Sequence, residues 1–577
     1  MLFSGDINFP LLLIQVFAVA ILCGIALWKP YLGRRFFGAC AHYGGRLAHH
    51  KAASVWLVGI TAILIRTALV PMFPIPDPAI HDEFGHLLIA DTFASGRLTN
   101  PPHPYWQHFE SIYLLQQPTY TSQYPIATGF AMAIGQVLFG DPWWGVVLST
   151  GLCCALICWM LQAWMPPLWA LFGGLLAILQ FAILSYWVNS YWGSTAAGIG
   201  GLLVLGALPR LRSGHRVRNA LLIALGLAVL MNSRPTEALL FGLVTCAVLL
   251  WWTFKTGDLE FKPSMLTVWA PLAVVLSITL AGMFYYNYRV TGKPLELPYM
   301  LHQKLYGSPQ AYWWQRPVLV KSFRHKEMQG DYLKQLRLYH RRSSPAQLAT
   351  AIAGRTRDFW AFFIGPVFTV PLLFFPWTIR DRGMPLMLAM SVPFALDYLT
   401  FHAFYTHYAA PVIGMTMFII MQSWRHLRVW RWKGKRTGLF LNRTLPLVLI
   451  ACLVIVIGAR ATAMLVPASQ TLLERFYRES MPVRAQRTLF AEKLQHLGGK
   501  HLIFVRYRQP GHNPDNEWVY NQADIDHARV VWARELDPGS NQKLIHYFSD
   551  RKVWLVEPDA KPPRLCPYPA GALQAAR

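Results

Sequence analysis

Three neighbouring polar residues, His81, Asp82 and Glu83, stand near the start of the stretch DPAIHDEFGHLLIADTFASGR, residues 77–97. Adjacent carboxylates repel each other and resist joint burial unless a cation or a proton lies with them. Such a pair could act as a general base, as metal ligands or as a cation site. It could equally be a solvated helix N-terminus, because the helix dipole favours Asp and Glu in the first turn. These residues alone leave both interpretations open.

The elements around this pair are those of a membrane protein. The chain has 577 residues, 54% of them hydrophobic and 14% charged, whereas an ordinary soluble domain carries about 25% charged residues. Apolar runs of about 20 residues can each cross a bilayer as a helix. Such runs lie near 10–28, 53–72, 143–163, 166–187, 192–209, 219–232, 236–254, 264–285, 358–378, 384–402, 405–423 and 444–466. The composition excludes a disordered chain and a disulfide scaffold.

Basic short loops set the expected orientation in the plasma (inner) membrane. Much of the net charge of +25 lies in three of them, 29–51, 210–218 and 424–443. The positive-inside rule makes these loops cytoplasmic, which explains their charge better than nucleic-acid binding does. The loops 73–124 and 286–357 and the segment 467–577 are then extracytoplasmic.

The number of crossings requires one irregular segment. Four apolar segments lie between the outside loop ending near 124 and the inside loop at 210, yet an odd number must cross. We take the short, glycine-rich segment 125–140 to be re-entrant, which is tolerated where it lines a cavity. The predicted fold is therefore a mainly α, polytopic membrane protein with about twelve transmembrane helices plus one short or re-entrant segment.

The chain divides into three predicted parts. Residues 1–52 form an extra N-terminal span and a basic cytoplasmic loop, 53–466 form the transmembrane module, and 467–577 form a small soluble α/β domain. In this last part we predict strands at 500–507, 528–536 and 552–559, with a helix at 541–548 and a parallel strand pair. Asp524 and Asp526 have DxD spacing, which we interpret as a turn or a helix cap.

The second outside loop, 286–357, is unusually basic for its expected side, with thirteen Lys or Arg against three acids. Its stretches 326–342 and 346–357 are typical of helices with mixed apolar and basic residues. Such helices could lie in the lipid headgroup plane, or they could bind an anion.

Five short motifs in this order resemble the C-type (GT-C) glycosyltransferase superfamily, in particular its protein O-mannosyltransferase and lipid A aminoarabinose transferase branch. They are Asp82-Glu83, Tyr124-Pro125, LFGD at 138–141, Ser233 to Pro235 and YNYRVTGKPLELPY at 286–299. The resemblance covers roughly 50–425. The span at 10–28 is extra, and SYWVNSYWGS at 185–194 has no carboxylate where many relatives carry an Asp.

The resemblance implies transfer of a sugar from a polyprenyl-phosphate donor to an acceptor at the outer membrane face. Asp82 would be the general base, and Glu83 would orient the acceptor or help to hold a divalent cation, Mg or Mn. The leaving phosphate gains negative charge, which Arg or Lys can stabilise. The residues expected at the donor phosphate are Arg289, Lys293 and Arg234, and those expected at the substrate are His81, His86, Tyr124 and Tyr299.

Other interpretations of these cations and of the whole chain remain open from the sequence. Arg289 could contact lipid headgroups, and Arg234 could form a salt bridge with Glu237. The whole chain could also be a lipid or glycan transporter or flippase, or a non-catalytic membrane scaffold. The expected partners are membrane lipids, the lipid-linked sugar and an acceptor that is a glycan, lipid or protein, with no nucleic acid.

Overall fold

The computed structural model describes residues 9–192, 194–256, 260–307, 312, 314–320, 322–340, 344–401, 404–466 and 485–569. The helices up to residue 291 are α1 (Phe9–Trp28), α2 (Arg34–His49), α3 (Lys51–Ala68), α4 (His81–Ala94), α5 (Ala127–Phe139), α6 (Trp143–Trp164), α7 (Pro167–Phe181), α8 (Ser194–Ala207), α9 (Arg216–Met231), α10 (Pro235–Trp251), α11 (Phe261–Ser264) and α12 (Ala270–Thr291). Those that follow are α13 (Pro298–Tyr306), α14 (Lys326–His340), α15 (Pro345–Phe359), α16 (Gly365–Leu372), α17 (Phe375–Thr378), α18 (Met384–Thr400), α19 (Ile413–Val429), α20 (Thr437–Leu465), α21 (Gln486–His496) and α22 (Pro538–Tyr547). The strands are β1 (Leu114–Leu115), β2 (Thr121–Ser122), β3 (Lys500–Val505), β4 (Val530–Arg534), β5 (Arg551–Glu557) and β6 (Arg564–Pro567).

The protein is mainly helical, and several of its helices are long and apolar enough to cross a bilayer. Within the described ranges these are Phe9–Trp28, Lys51–Ala68, Trp143–Trp164, Pro235–Thr256, Lys262–Thr291 and Thr437–Leu465. Helices α5, α7 and α18 are apolar but shorter. At 1.5 Å per residue, the 13 residues of α5 span about 20 Å, less than the hydrocarbon core. The count of twelve crossings, with a re-entrant 125–140, stays a prediction.

The apolar run at 358–378 is divided, in contrast to the single span that we predict there. Helix α15 ends at Phe359, and α16 begins at Gly365, whose backbone φ is +58°. Pro366 and Pro371 follow, and Pro376 lies in α17. Proline lacks the N–H that continues a helix and clashes with the preceding turn, so this run cannot form one straight helix.

Helix α6 is the centre of the helical bundle and packs against α3, α5, α7 and α8. Small residues allow these close contacts. A Cβ placed on Gly135 of α5 would lie 2.0 Å from the backbone nitrogen of Gly145 at the start of α6. The two backbones therefore meet where neither residue has a side chain. Helix α1 packs at the periphery, on α16 and α20.

The tail from residue 485 contains a four-stranded sheet in the order β4-β3-β5-β6. Strand β3 pairs in parallel with both β4 and β5, and β6 adds an antiparallel edge. The three parallel strands and α22 lie at the predicted positions, whereas β6 is absent from the prediction. We call residues 485–569 the C-terminal domain. It packs on the segment 73–124, with the rings of Phe84 and Tyr520 stacked at 4.2 Å.

Candidate functional site

A cavity of about 420 Å³ lies where α4, α10, α13, α14 and the C-terminal domain meet. Of the nine residues predicted from the sequence for the site, six line it: His81, Asp82, His86, Tyr124, Arg234 and Tyr299. Glu83, Arg289 and Lys293 are not among the lining residues. Segments distant in the sequence thus bring a carboxylate, a guanidinium, imidazoles and phenols into one space.

Asp82 lies in the first turn of α4 and is held by a tyrosine. The hydroxyl of Tyr124 donates a hydrogen bond to Asp82 Oδ1 over 2.5 Å. Burial, followed by the charge of Asp82, raises the pKa of Tyr124 well above its usual value, so the phenol keeps the proton that it donates. Among described residues, none donates to Asp82 Oδ2. One carboxylate oxygen is therefore fixed and the other is available to a ligand in the cavity.

Glu83 points away from the cavity and holds the backbone instead. Its Oε2 accepts hydrogen bonds from the backbone N–H groups of Ala79 and Ile80, and its Oε1 accepts one from Tyr191 N at 3.0 Å. A Glu at the third helical position that reaches back to the preceding N–H groups is a common helix N-terminus. Burial raises the pKa of Glu83 to about 7, although the three N–H groups act in the opposite direction. Its predicted contact with the acceptor or a metal ion is not favoured by this geometry.

Arg234 directly precedes α10, so that its side chain and the positive end of that helix lie at the cavity wall. The guanidinium carbon is 3.9 Å from the centroid of the Tyr408 ring, a cation–π contact. Within the described residues, no carboxylate lies within ion-pair distance of it. The alternative of a salt bridge to Glu237 is therefore wrong. Arg234 is half-buried and carries a charge that a ligand could neutralise.

The two other predicted phosphate-binding cations lie elsewhere, which corrects their placement. Arg289 is exposed near the end of α12, where it donates to the hydroxyl of Tyr285. Lys293 is 73% exposed and lies 4.0 Å from Glu296. On α12 the neighbouring residues Tyr286 and Asn287 are buried. The helix phase therefore directs Arg289 outward, and the sequence motif alone does not show this phase.

Histidines give the cavity polar groups that have no partner within the described chain. The ring atoms Nδ1 of His81, Nδ1 of His86 and Nε2 of His302 are buried and make no hydrogen bond. Burial lowers the pKa of His86, and also that of His302, to about 3. Both imidazoles are therefore neutral at ordinary pH, and each could exchange a hydrogen bond with an uncharged hydroxyl.

Several lining residues are absent from the sequence-based prediction of the site. Tyr113 has a backbone φ of +64°, unusual for a residue with a side chain. Its ring lies edge-on to His81 at 4.8 Å and 6.0 Å from the ring of His302. Asp331 and Lys334 reach the cavity from α14. Asp331 is one of the three acidic residues of the loop 286–357, and Tyr113 is one of the aromatic residues of 73–124 that could stack on a sugar ring or anchor the protein at the membrane interface.

The described residues of the cavity offer few ligands for a divalent cation. Both oxygens of Glu83 are occupied by N–H groups, which leaves Asp82 as the single member of the expected pair facing the cavity. Over the described ranges, no group of three or more His, Cys, Asp or Glu is arranged to hold a metal ion. The pair Asp524 and Asp526 does not line the cavity and borders a turn, as predicted.

No protein-family model and no curated protein sequence matches the chain. Among solved structures, the chain is similar to ArnT from Cupriavidus metallidurans bound to undecaprenyl phosphate, at 15% identity and a TM-score of 0.47 over 87% of this chain and 92% of that one. The apo form of ArnT gives 14% and 0.43 over 86% and 93%. The Archaeoglobus fulgidus oligosaccharyltransferase in complex with zinc and sulfate gives 9% and 0.40 over 87% and 67%.

ArnT is a lipid A aminoarabinose transferase, and both it and the archaeal enzyme are GT-C glycosyltransferases.

Proposed function

We propose that this protein is a glycosyltransferase that moves a sugar from a polyprenyl-phosphate donor to an acceptor hydroxyl at the outer face of the plasma membrane. The observation that carries the proposal is the shared cavity, into which Asp82 and Arg234 both project beside apolar helices. A base and a cation in one space are the two groups that this transfer needs from the protein.

Asp82 is the proposed general base. The acceptor hydroxyl gives its proton to Asp82 Oδ2, and its oxygen forms a bond to the anomeric carbon of the sugar. Tyr124 holds Oδ1 through its hydrogen bond and so fixes the direction in which Oδ2 faces. A positioned base of this kind contributes about 10²–10⁴-fold to a rate.

Arg234 is the proposed partner of the leaving phosphate. As the new bond forms, the bond between the anomeric carbon and the phosphate oxygen breaks, and the phosphodiester becomes a phosphomonoester with an additional negative charge. The guanidinium of Arg234 can bind two phosphate oxygens at once, and the positive end of α10 adds to the attraction. No described carboxylate is close enough to compete as an ion-pair partner.

The donor's lipid explains why the cavity borders apolar helices. Met231 and Met283 line the same cavity as Arg234, and both belong to helices of the membrane bundle, α9 and α12. A polyprenyl chain can stay among such helices while its phosphate and sugar enter the cavity. The sugar and the acceptor are not specified by these residues, and a hexosyl or a pentosyl group fits this chemistry.

Replacing Asp82 by Asn tests the proposal. With a radiolabelled polyprenyl-phosphate sugar and an envelope extract from a strain lacking the gene, we expect Asp82→Asn to lower kcat about 10²–10⁴-fold. Asp524→Asn, which removes a carboxylate remote from the cavity, should retain wild-type turnover. A loss smaller than about tenfold for Asp82→Asn would contradict the role of Asp82. If the wild-type protein transferred no sugar, and substrate flux across vesicle membranes were the same for wild type and Asp82→Asn, a transporter would be favoured instead.

A further inference from the structure

Helix α14 connects the C-terminal domain to the cavity by two adjacent faces. Glu327, Gly330 and Lys334, spaced by three and four residues, contact the C-terminal domain. Met328, Asp331, Tyr332, Gln335 and Leu338, with the same kind of spacing, line the cavity. Residues three and four apart share one side of a helix. The position of the domain therefore determines where the second set lies.

The contact with the domain is made by charged side chains that are mostly buried. Glu327 Oε2 lies 3.0 Å from the guanidinium of Arg534, which also pairs with Glu517 at 2.7 Å. Seven residues along α14, Lys334 Nζ donates to both carboxylate oxygens of Asp515, each at 2.5 Å. The Asp515 side chain is 9% exposed and lines the cavity itself.

A close approach between these two contacts fixes the helix further. Gly330 lies over Pro514, and a Cβ at this position would come within 3.2 Å of the proline ring. The stretch 330–334 of α14 is thus held against the residues 514–515 by packing and by an ion pair. Removing one partner of a buried pair leaves the other charge without compensation, which is costly.

From α14, hydrogen bonds continue to the base. Gln335 donates to Asp331 Oδ2 at 2.6 Å and to the hydroxyl of Tyr113 at 2.9 Å. The Tyr113 ring packs edge-on against Tyr124, whose hydroxyl holds Asp82. A chain of direct contacts therefore joins the C-terminal domain to the carboxylate that we assign as the base.

We propose that the C-terminal domain forms the acceptor side of the site, with Lys334 and Asp515 positioning α14 so that Asp331, Gln335 and Tyr113 bind a hydroxyl-bearing acceptor. This inference rests on the proposed function. Arg234, where the donor phosphate is placed, directly precedes α10, and the apolar lining residues Met231 and Met283 belong to α9 and α12. The side formed by α14 has hydroxyl, amide and carboxylate groups, and its cation, Lys334, is already paired. It suits an uncharged hydroxyl better than a phosphate.

Hydrolysis of the donor separates this role from a general loss of structure. In hydrolysis, water replaces the acceptor hydroxyl, so the donor side and Asp82 suffice. We expect Asp515→Asn and Lys334→Met to lower transfer at subsaturating acceptor about tenfold while donor hydrolysis stays within about twofold of wild type. The exchanged pair Lys334→Asp with Asp515→Lys should recover most of the transfer. Arg506→Met, which breaks an exposed pair with Glu535 in the same domain, is the matched control and should change neither rate.

Hydrogen exchange of the purified full-length protein tests the contact without any assay of activity. Amides of α14 should exchange about tenfold faster in Asp515→Asn than in wild type and should be unaffected in Arg506→Met. Unchanged exchange, or a parallel fall of transfer and hydrolysis in both pair variants, would overturn the inference. If wild type transferred no sugar but the exchange result held, the proposed function would fail and the positioning contact would stand.

Discussion

Two stretches of the sequence carry the most suggestive polar residues, 77–97 and 286–299, and the structure treats them differently. In the first, the beginning of α4 directs His81, Asp82 and His86 to the cavity. In the second, Tyr299 reaches the cavity while Arg289 and Lys293 face outward. A polar residue near the expected membrane edge therefore does not necessarily line the cavity. The direction in which its side chain leaves the helix axis decides whether it faces the cavity or the exterior.

The same distinction applies within the first stretch, between two adjacent carboxylates. Asp82 faces the cavity, whereas Glu83 points away from it and accepts hydrogen bonds from three backbone N–H groups. The side chains of successive helical residues point about 100° apart, and the carboxylate of Glu83 is directed to the backbone N–H groups of Ala79, Ile80 and Tyr191 rather than to the cavity. One acidic pair therefore divides into a group available for chemistry and a group that holds the helix in place.

The comparison between Arg234 and Arg289 is expected to give the largest effect. Arg234→Met should lower kcat/KM for the lipid-linked donor about 10²–10³-fold, because a cation that stabilises the leaving phosphate is lost. Arg289→Met, the same change on the exposed face of α12, should remain within about twofold. Kinetics with a polyprenyl-phosphate sugar measure both. An equal loss of kcat/KM in the two variants would show that Arg289 also belongs to the phosphate site.

A smaller effect is expected when the fixed oxygen of Asp82 is released. Tyr124→Phe removes the hydroxyl that donates over 2.5 Å but keeps the ring stacked on His86. We expect kcat to fall about tenfold, with little change in the donor KM, because the base loses its orientation. The control is the same substitution at a tyrosine that does not line the cavity, Tyr547→Phe in the C-terminal domain. An unchanged kcat for Tyr124→Phe would show that the hydrogen bond does not position the base.

Glu83→Gln should change stability more than turnover. An amide cannot accept from all three N–H groups, so unfolding at neutral pH should become easier by about 1–3 kcal/mol. We expect turnover per folded molecule to stay within a few-fold. Unfolding in detergent and kinetics of the folded fraction measure the two quantities. A collapse of turnover in a stable variant would show that Glu83 takes part in the chemistry.

The pH dependence of stability gives Glu83 a second signature. Its pKa of about 7 in the folded protein exceeds the usual value of about 4.3, so between these values the folded state holds a proton that the unfolded state has released. The contribution of Glu83 to stability therefore falls as pH rises through this window. Wild type should lose this contribution between about pH 4.5 and 7, whereas Glu83→Gln should show a flatter profile. Identical profiles would contradict the burial of an ionisable group here.

Much of the fold follows from local sequence. Apolar runs of membrane length predict most of the helices, and the short β-branched blocks near 500, 530 and 552 predict the parallel strands. The division of 358–378 into α15, α16 and α17 was missed because its prolines and Gly365 lie within an otherwise continuous apolar run. Strand β6 was missed because a four-residue edge strand has little periodicity to detect.

Only the part of the cavity formed by the start of α4 could be predicted from local sequence, because its lining residues belong to one short motif. Asp82 and His86 lie four residues apart on one helix, so their shared position follows from helical spacing, and His81 directly precedes Asp82. Asp515 lies 181 residues from Lys334, and no local pattern relates the two. The same holds for Tyr113, whose left-handed backbone depends on the loop around it.

Composition and periodicity determined that this chain forms a helical membrane bundle with an α/β tail, because burial of apolar side chains depends on residue type and spacing along the chain. Tertiary packing decided that Arg234 rather than Arg289 lines the same cavity as Asp82, that Glu83 holds the start of α4, and that Asp515 pairs with Lys334 at the cavity wall. Those outcomes depend on helix phase and on contacts between distant segments, and neither is a property of any stretch of sequence taken alone.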